Sequence, residues 1–382
     1  MEIAKLKEKF ISLYGVEPKI IRSPGRINII GEHTDYNDGF VFPAAIDKEI
    51  VFAMAENQLD KFRFFAIDLN ESFELDVRNL SKSSCSWANY LLGVLAQFKT
   101  KGHKIQGVDC VFSSTIPVGA GLSSSAALEN GFAFGLNEIF EFDESPMNLV
   151  KIAQKAEHEY AGVQCGIMDQ FASMFGKEHK AIKLDCRSLE YEYADIDLRN
   201  YRFVLCNTKV SHSLASSEYN LRRQECEKGV GLLKKYDKTI NSLRDVSSTF
   251  LEKYKHEFDE IIYNRCEFVI TENERVLSAF DALKRGDIAH LGRLMYESHR
   301  GLSEKYQVSC LELDFLVTQA SENPAVLGAR MMGGGFGGCT INLVRYEQVE
   351  AFSEHIATDY ELKFNRKPEI YVVKIADGVS WK

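Results

Sequence analysis

The stretch PVGAGLSSSAALE (residues 117–129) decides how this chain is read. It sets two glycines and three consecutive serines ahead of an apolar, alanine- and leucine-rich run that reads as a helix. Small residues let a backbone come close to an anion, and a helix N-terminus adds open N–H groups and a partial positive charge. Residues 108–113, just before it, read as a strand, so the order over 108–139 is strand, loop, helix. That order is the setting an anion-binding loop needs. A Gly/Ser loop that merely caps a helix has the same composition. No G-x-x-x-x-G-K-[ST] occurs in the chain, so the loop is not a Walker A loop and brings no lysine to a phosphate.

Working outward, residues 1–10 place charges and apolar residues at helical spacing, and residues 19–22 read as a strand before INIIGE. Asp38-Gly39 marks a turn, with strand-like runs at 49–55 and 63–67 and helical periodicity over 87–98. Ser145 and Pro146 open a further helix as N-cap and first helical residue, ending before Gly162. Beyond Cys186 the texture changes to strand-like pieces over 191–207, charged helical stretches over 216–304, and a last block with a helix over 347–360 and a strand over 369–375. The class expected is α+β, mixed sheets covered by helices, with a domain boundary near residue 195.

With 382 residues, the chain is long enough for two domains. Its formal charge is −9, from 46 Lys+Arg against 55 Asp+Glu, which argues against a duplex nucleic-acid partner. An acidic chain still binds a nucleotide where the local site is positive. The nine cysteines are scattered singly without a C-x-x-C pair, as expected of reduced thiols in the cytoplasm. No apolar run is long enough for a signal peptide core or a membrane span, so no membrane partner is expected.

Four further clusters carry chemistry-bearing side chains. The segment from Arg26 to Asn37 crowds Arg26, Asn28, Glu32, His33, Thr34, Asp35, Tyr36 and Asn37 around a short apolar strand. A surface turn would explain that mixture, and so would a polyol, whose hydroxyls need both acceptors and donors. Glu157-His158-Glu159 lies on a helix, where such a run is commonly a solvated face. Asp169 follows Gly166-Ile167-Met168, either as a helix N-cap or as a carboxylate with a tuned pKa. Residues 333–338 hold five glycines in six positions, which implies close backbone approach to a ligand or to another loop.

Taken together, these segments resemble the galactokinases of the GHMP small-molecule kinase family. SPGRINIIGEHTDYNDGFVFP is similar to that family's sugar signature, PVGAGLSSSAALE to its phosphate loop and GGGFGGCTI to its third motif. The spacing from Glu157 to Asp169 and the LASSEYNLRR run around Tyr219 also match, so the resemblance extends from about residue 22 to 345. It implies a two-domain GHMP kinase fold, with a ribosomal S5 domain 2-like N-terminal domain (1–195), a ferredoxin-like α+β C-terminal domain (196–382) and the active site in the cleft between them. It further implies ATP and Mg²⁺ as cofactors and transfer of the γ-phosphoryl group to the anomeric hydroxyl of D-galactose, opening galactose catabolism, by a cytoplasmic monomer. Residue by residue, Gly119, Ala120, Gly121, Leu122, Ser123, Ser124 and Ser125 would wrap the phosphates. Ser125 and Glu157 would ligate the metal, although three adjacent serines leave the choice among them to geometry. Asp169 would be the base and Arg26 its electrostatic partner. Glu32, His33, Thr34, Asp35, Gly166 and Tyr219 would hold the sugar, with Asp35 and Tyr219 on the side that reads the 4-hydroxyl. Two alternatives within this resemblance are a galactose- and ATP-binding sensor without catalysis, and a kinase for an amino or N-acetyl derivative of galactose. The intact Ser125-Ala126 pair, Arg26 and Asp169 speak against the sensor.

Overall fold

The apolar runs become strands and the periodic ones helices, and the computed structural model describes residues 3–117, 119–210 and 215–381. The first half runs α1 (Ile3–Tyr14), β1 (Lys19–Asn28), β2 (Phe40–Val41), β3 (Pro43–Asn57), β4 (Lys61–Ala66), β5 (Glu71–Asp76), α2 (Ser86–Thr100) and β6 (Gly107–Ser114). It continues through α3 (Ser124–Ile139), α4 (Pro146–Ala156), α5 (Met168–Phe175), β7 (Lys180–Asp185) and β8 (Tyr191–Asp195). The second half holds β9 (Tyr201–Asn207), α6 (Ala215–Leu233), α7 (Ser248–Lys253), α8 (Glu260–Lys284), α9 (Ile288–Arg300) and α10 (Leu311–Glu322). It closes with β10 (Val326–Met331), β11 (Cys339–Arg345), α11 (Val349–Phe364), β12 (Glu369–Val373) and β13 (Ser380–Trp381). This is the mixed helix-and-sheet content expected.

Three sheets organise these elements, in the orders β13-β1-β3-β6-β4-β5, β10-β11-β9-β12 and β2-β7-β8. β1 is buried along nearly its whole length because both faces of its sheet are covered. On one face Leu6 and Phe10 of α1 pack on Ile20, Val51 and Val111. On the other, Ile21, Phe52 and Met54 enter a core shared with α2, α3 and α4. That core continues into the second half through Phe203, Leu205, Ile341 and Leu343. A separate core of α10 and α11 covers the other face of the second sheet, around Leu316, Phe352 and Tyr360.

Two local features aim the site. β1 shifts register against β3 between Pro24 and Arg26, and a Cβ at Gly25 would press on the Leu122 carbonyl, 2.7 Å away. A bulge at a Pro-Gly pair therefore lets the Gly/Ser loop lie directly on β1, fixed by Arg26 N–H to Leu122 O at 3.2 Å. The chain end returns to the first sheet. Trp381 pairs with Ile21, and Val379 N–H donates to Ser173 O at 3.0 Å, bracing α5.

Candidate active site

Ser123 stands at the N-cap position of α3 with φ 56°, yet its hydroxyl makes no cap bond. It donates instead to Asp169 Oδ2 at 2.6 Å. The helix N-terminus thus keeps its dipole and carries no side-chain cap, the condition under which a phosphate can take that place. Asp169 lies in the first turn of α5 rather than at its N-cap. Its Oδ1 accepts from Arg26 Nε at 2.7 Å, while Arg26 also donates to the Gly121 carbonyl at 2.6 Å. A single carboxylate therefore ties β1, the Gly/Ser loop and α5 together.

The third, glycine-rich loop covers this loop from above. Backbone at Gly333 lies against Gly121, and Gly338 against Gly119 and Ala120. Gly335 and Gly337, both at positive φ, face the carbonyls of Val308 and Val210 so closely that a Cβ would overlap them. Four of the five glycines answer to neighbouring loops, and Gly334 faces the Tyr219 ring.

Arg26, Glu32, His33, Asp35, Cys165, Met168, Asp169, Tyr219, Gly333 and Gly334 line one small cavity beside Asp169. Gly166 borders it: a Cβ there would overlap the Asp35 carboxylate, so only glycine leaves that carboxylate its place. Glu32 Oε1 accepts from Gly333 N–H at 2.8 Å and from Arg330 at 3.0 Å. Thr34 lies behind the wall, its hydroxyl 2.6 Å from the Phe40 carbonyl and 3.0 Å from that of Gly31. It braces the loop and, among the described residues, does not line the cavity.

Glu157 begins a π-helical turn (Glu157–Ala161) that ends α4. Such an extra residue per turn rotates side chains off the regular helical face and recurs at functional sites. The Glu-His-Glu run is accordingly split. Glu157 is buried toward Asp169 and the Ser125 hydroxyl, whereas Glu159 lies outside, accepting from Gln97 at 2.6 Å. Gln170 donates to Glu157 Oε2 at 2.6 Å.

Family models match the chain at three places: a galactokinase galactose-binding signature over residues 8–56, a GHMP kinase N-terminal domain over 89–177 and a GHMP kinase C-terminal domain over 279–362. A galactokinase of Roseiflexus sp. (strain RS-1) is 42% identical over 382 residues, covering 100% of this chain and 97% of the relative. The chain belongs to the galactokinase family. A Thermotoga neapolitana galactokinase is 44% identical over 361 residues, covering 94% of this chain and 99% of its own. The crystal structure of Lactococcus lactis galactokinase complexed with galactose matches with a TM-score of 0.95 at 36% identity, over 99% of both chains.

The electrostatics of this galactokinase-family site are those of crowded carboxylates around few cations. Burial opposes the Arg26 charge, but Asp169, Glu32 and Asp35 outweigh it and raise its pKa. Burial also raises Glu129, and the neighbouring Glu157 raises it further. Glu157 is raised by burial, helped by Asp169 and opposed by the Ser125 hydroxyl. Glu129 Oε1 is buried without a partner, so this corner has more acceptors than donors. Glu129, Gln170 and Arg330 were not singled out from the sequence. Glu129 lies one helical turn beyond Ser125 in an apolar helix, and that spacing is the signal that could have found it.

Asp35 is pushed up to about 7, first by burial and then by Asp169, against the pull of the Tyr36 N–H and of Arg26. Below about pH 4 the Asp35 carboxyl is protonated whether the chain is folded or unfolded. Between there and neutrality the unfolded chain loses the proton and the fold keeps it, so stability falls as pH rises and levels off above 7. At about 1.4 kcal/mol per pKa unit, the displacement from 3.8 to about 7 costs the ligand-free fold on the order of 4 kcal/mol at alkaline pH. Asp35→Asn is therefore expected to gain thermal stability over the parent progressively from pH 5 to 8. A stability difference flat across that range would show that Asp35 ionises as an exposed aspartate does.

Proposed function

We propose that this cleft transfers the γ-phosphoryl group of ATP to the anomeric hydroxyl of D-galactose, yielding galactose 1-phosphate and ADP. The observation that carries the reading is the Asp169 carboxylate, bonded on one side to the phosphate loop through Ser123 and on the other to Arg26 beside the sugar pocket. Phosphoryl transfer asks a protein mainly to position its reactants and to stabilise spread negative charge. Residues 119–125 and the α3 N-terminus take the phosphates. Glu32, His33, Asp35, Gly166 and Tyr219 take the sugar. Asp169 accepts the proton of the attacking hydroxyl, and Arg26 stabilises both the ionised base and the charge developing on the transferred group.

Ser125 and Glu157 are the pair that would hold Mg²⁺. One hydroxyl and one carboxylate suit an ion that keeps waters and phosphate oxygens as its other ligands, and surplus acceptors around Glu129 and Glu157 fit a cation there. The bound ion would neutralise phosphate charge. The same arrangement takes over the part that a loop lysine plays elsewhere.

The test is ADP release against a panel of galactose, galactosamine, N-acetylgalactosamine and glucose. Turnover is expected with galactose, and glucose is expected to fall behind by orders of magnitude, because a buried site built to pair a hydroxyl strands its own polar groups on the epimer. Binding of galactose and ATP without ADP release would replace this reading by the sensor.

A further inference from the structure

Behind the sugar pocket runs a chain of hydroxyls that the proposed reaction does not use. His33 Nδ1 lies 2.8 Å from the Tyr36 hydroxyl, which lies 2.7 Å from the Tyr306 hydroxyl, which lies 3.2 Å from Cys226 Sγ. The four groups come from the first-motif loop, from the end of a π-helical turn (Gly301–Lys305) and from α6. The rings pack on one another, His33 at 4.9 Å from Tyr306 and Tyr306 at 4.8 Å from Phe268. Tyr306 is fully buried, and its carbonyl accepts from Arg222 Nε at 2.9 Å. His33 sits at φ 62°, a conformation a side-chain-bearing residue seldom adopts, and there its ring meets the chain.

Each tyrosine hydroxyl has one proton, so one that bonds two neighbours in line donates to one and accepts from the other. The chain accordingly runs in one direction or its reverse. Burial, together with the charges of Arg222 and Arg330, holds His33 down at about 3, so the ring carries a single proton at neutral pH. Nδ1 is engaged in the chain, whereas Nε2 is buried with no partner. A thiol is more acidic than a phenol, so at the far end the Cys226 S–H donates to Tyr306, which sets the chain running toward the ring, leaves Nδ1 to accept from Tyr36 and places the proton on Nε2.

We propose that Tyr306, acting through Tyr36, is a positioning residue that fixes His33 as the Nε2–H tautomer, so that the sugar subsite offers a donor to a hydroxyl oxygen of the hexose. The proposal rests on reading this cavity as the sugar pocket. Cys226 S–H donates to Tyr306, Tyr306 to Tyr36, and Tyr36 to His33 Nδ1. Reversing the chain turns the subsite from donor to acceptor, and a site with the wrong polarity leaves two like groups facing each other in a buried place.

The experiment compares Tyr36→Phe, Tyr306→Phe and the double variant. The ¹⁵N shifts of the His33 ring nitrogens are read in the sugar-free protein and assigned by their loss in His33→Gln. The parent is expected to show one tautomer, protonated at Nε2, and Tyr36→Phe a mixture. KM for galactose is expected to rise about tenfold in Tyr36→Phe, with KM for ATP unchanged. Tyr306→Phe should shift the same readouts less, and the double variant should be no worse than Tyr36→Phe, because links in one chain are not additive. A parent protonated at Nδ1 would overturn the proposal. So would ring shifts unmoved by Tyr36→Phe, or a Tyr306→Phe effect that persists in full on the Tyr36→Phe background. The ring shifts need no turnover, so a parent that fails to phosphorylate galactose counts against the kinase reading alone.

Discussion

Asp169→Asn is expected to bind galactose and ATP much as the parent does and to lose about 10²- to 10⁴-fold in kcat. The asparagine keeps the shape of the carboxylate, and its amide oxygen can still accept from Arg26 Nε, which lies 2.7 Å from Oδ1. On the other side the Ser123 hydroxyl, now 2.6 Å from Oδ2 as a donor, can rotate to accept from the amide. What the variant lacks is a group able to take the proton of the attacking hydroxyl, and the negative charge that Arg26 balances. The loss should therefore fall on kcat with the galactose KM little changed, as for an interaction made in the transition state. Single-turnover phosphorylation of galactose measures it directly. A kcat within a few-fold of the parent would leave Asp169 as a strut between the phosphate loop and α5, and another base would have to be found.

The reasons Asp169 could be picked out in the sequence and some of its neighbours could not are physical. The strand before the phosphate loop and the helix after it are local patterns, and they appear as β6 (Gly107–Ser114) and α3 (Ser124–Ile139). Ser145 likewise accepts from Asn148 N–H with Pro146 at the first helical position. Asp169 admitted two readings, cap or reactive carboxylate, because which one holds depends on Arg26, 143 residues away. Glu157 looked like part of a solvated face, since no periodicity announces a π-helical turn. Thr34 shares its segment with true cavity residues, and only the Phe40 carbonyl reveals that it faces backward. β13 (Ser380–Trp381) is too short for any alternation to show and exists because β1 offers it an edge. Tyr306 and Cys226 meet Tyr36 and His33 only through the fold, so their sequence neighbourhoods carry no hint of the chain they form.

Arg330 belongs to that last group, and its replacement is expected to damage the fold most. The side chain is wholly buried on β10, inside the second sheet. It donates to Ile29 O at 2.8 Å, to Met331 O at 2.6 Å, to Asn28 O, and to Glu32 Oε1 at 3.0 Å. One guanidinium thus ties the end of β1 to the second sheet and holds the Glu32 carboxylate that lines the cavity. Breaking a buried pair by removing one partner leaves an uncompensated charge and costs about 3–5 kcal/mol. Arg330→Met fills most of the volume with no donor, so Glu32 and three carbonyls lose theirs together. Chemical denaturation should show the loss as a lower midpoint, and the galactose KM should rise because Glu32 then rests on the Gly333 N–H alone. Glu32→Gln removes the charge that Arg330→Met strands. The double variant is therefore expected to be destabilised by less than the sum of the two single changes, the sign of a coupled buried pair. An Arg330→Met protein as stable as the parent, to within about 0.5 kcal/mol, would mean that water reaches this corner and screens Glu32. In that case the ordering of Glu32 would have to come from the glycine-rich loop itself, through the one N–H at Gly333 that already reaches it.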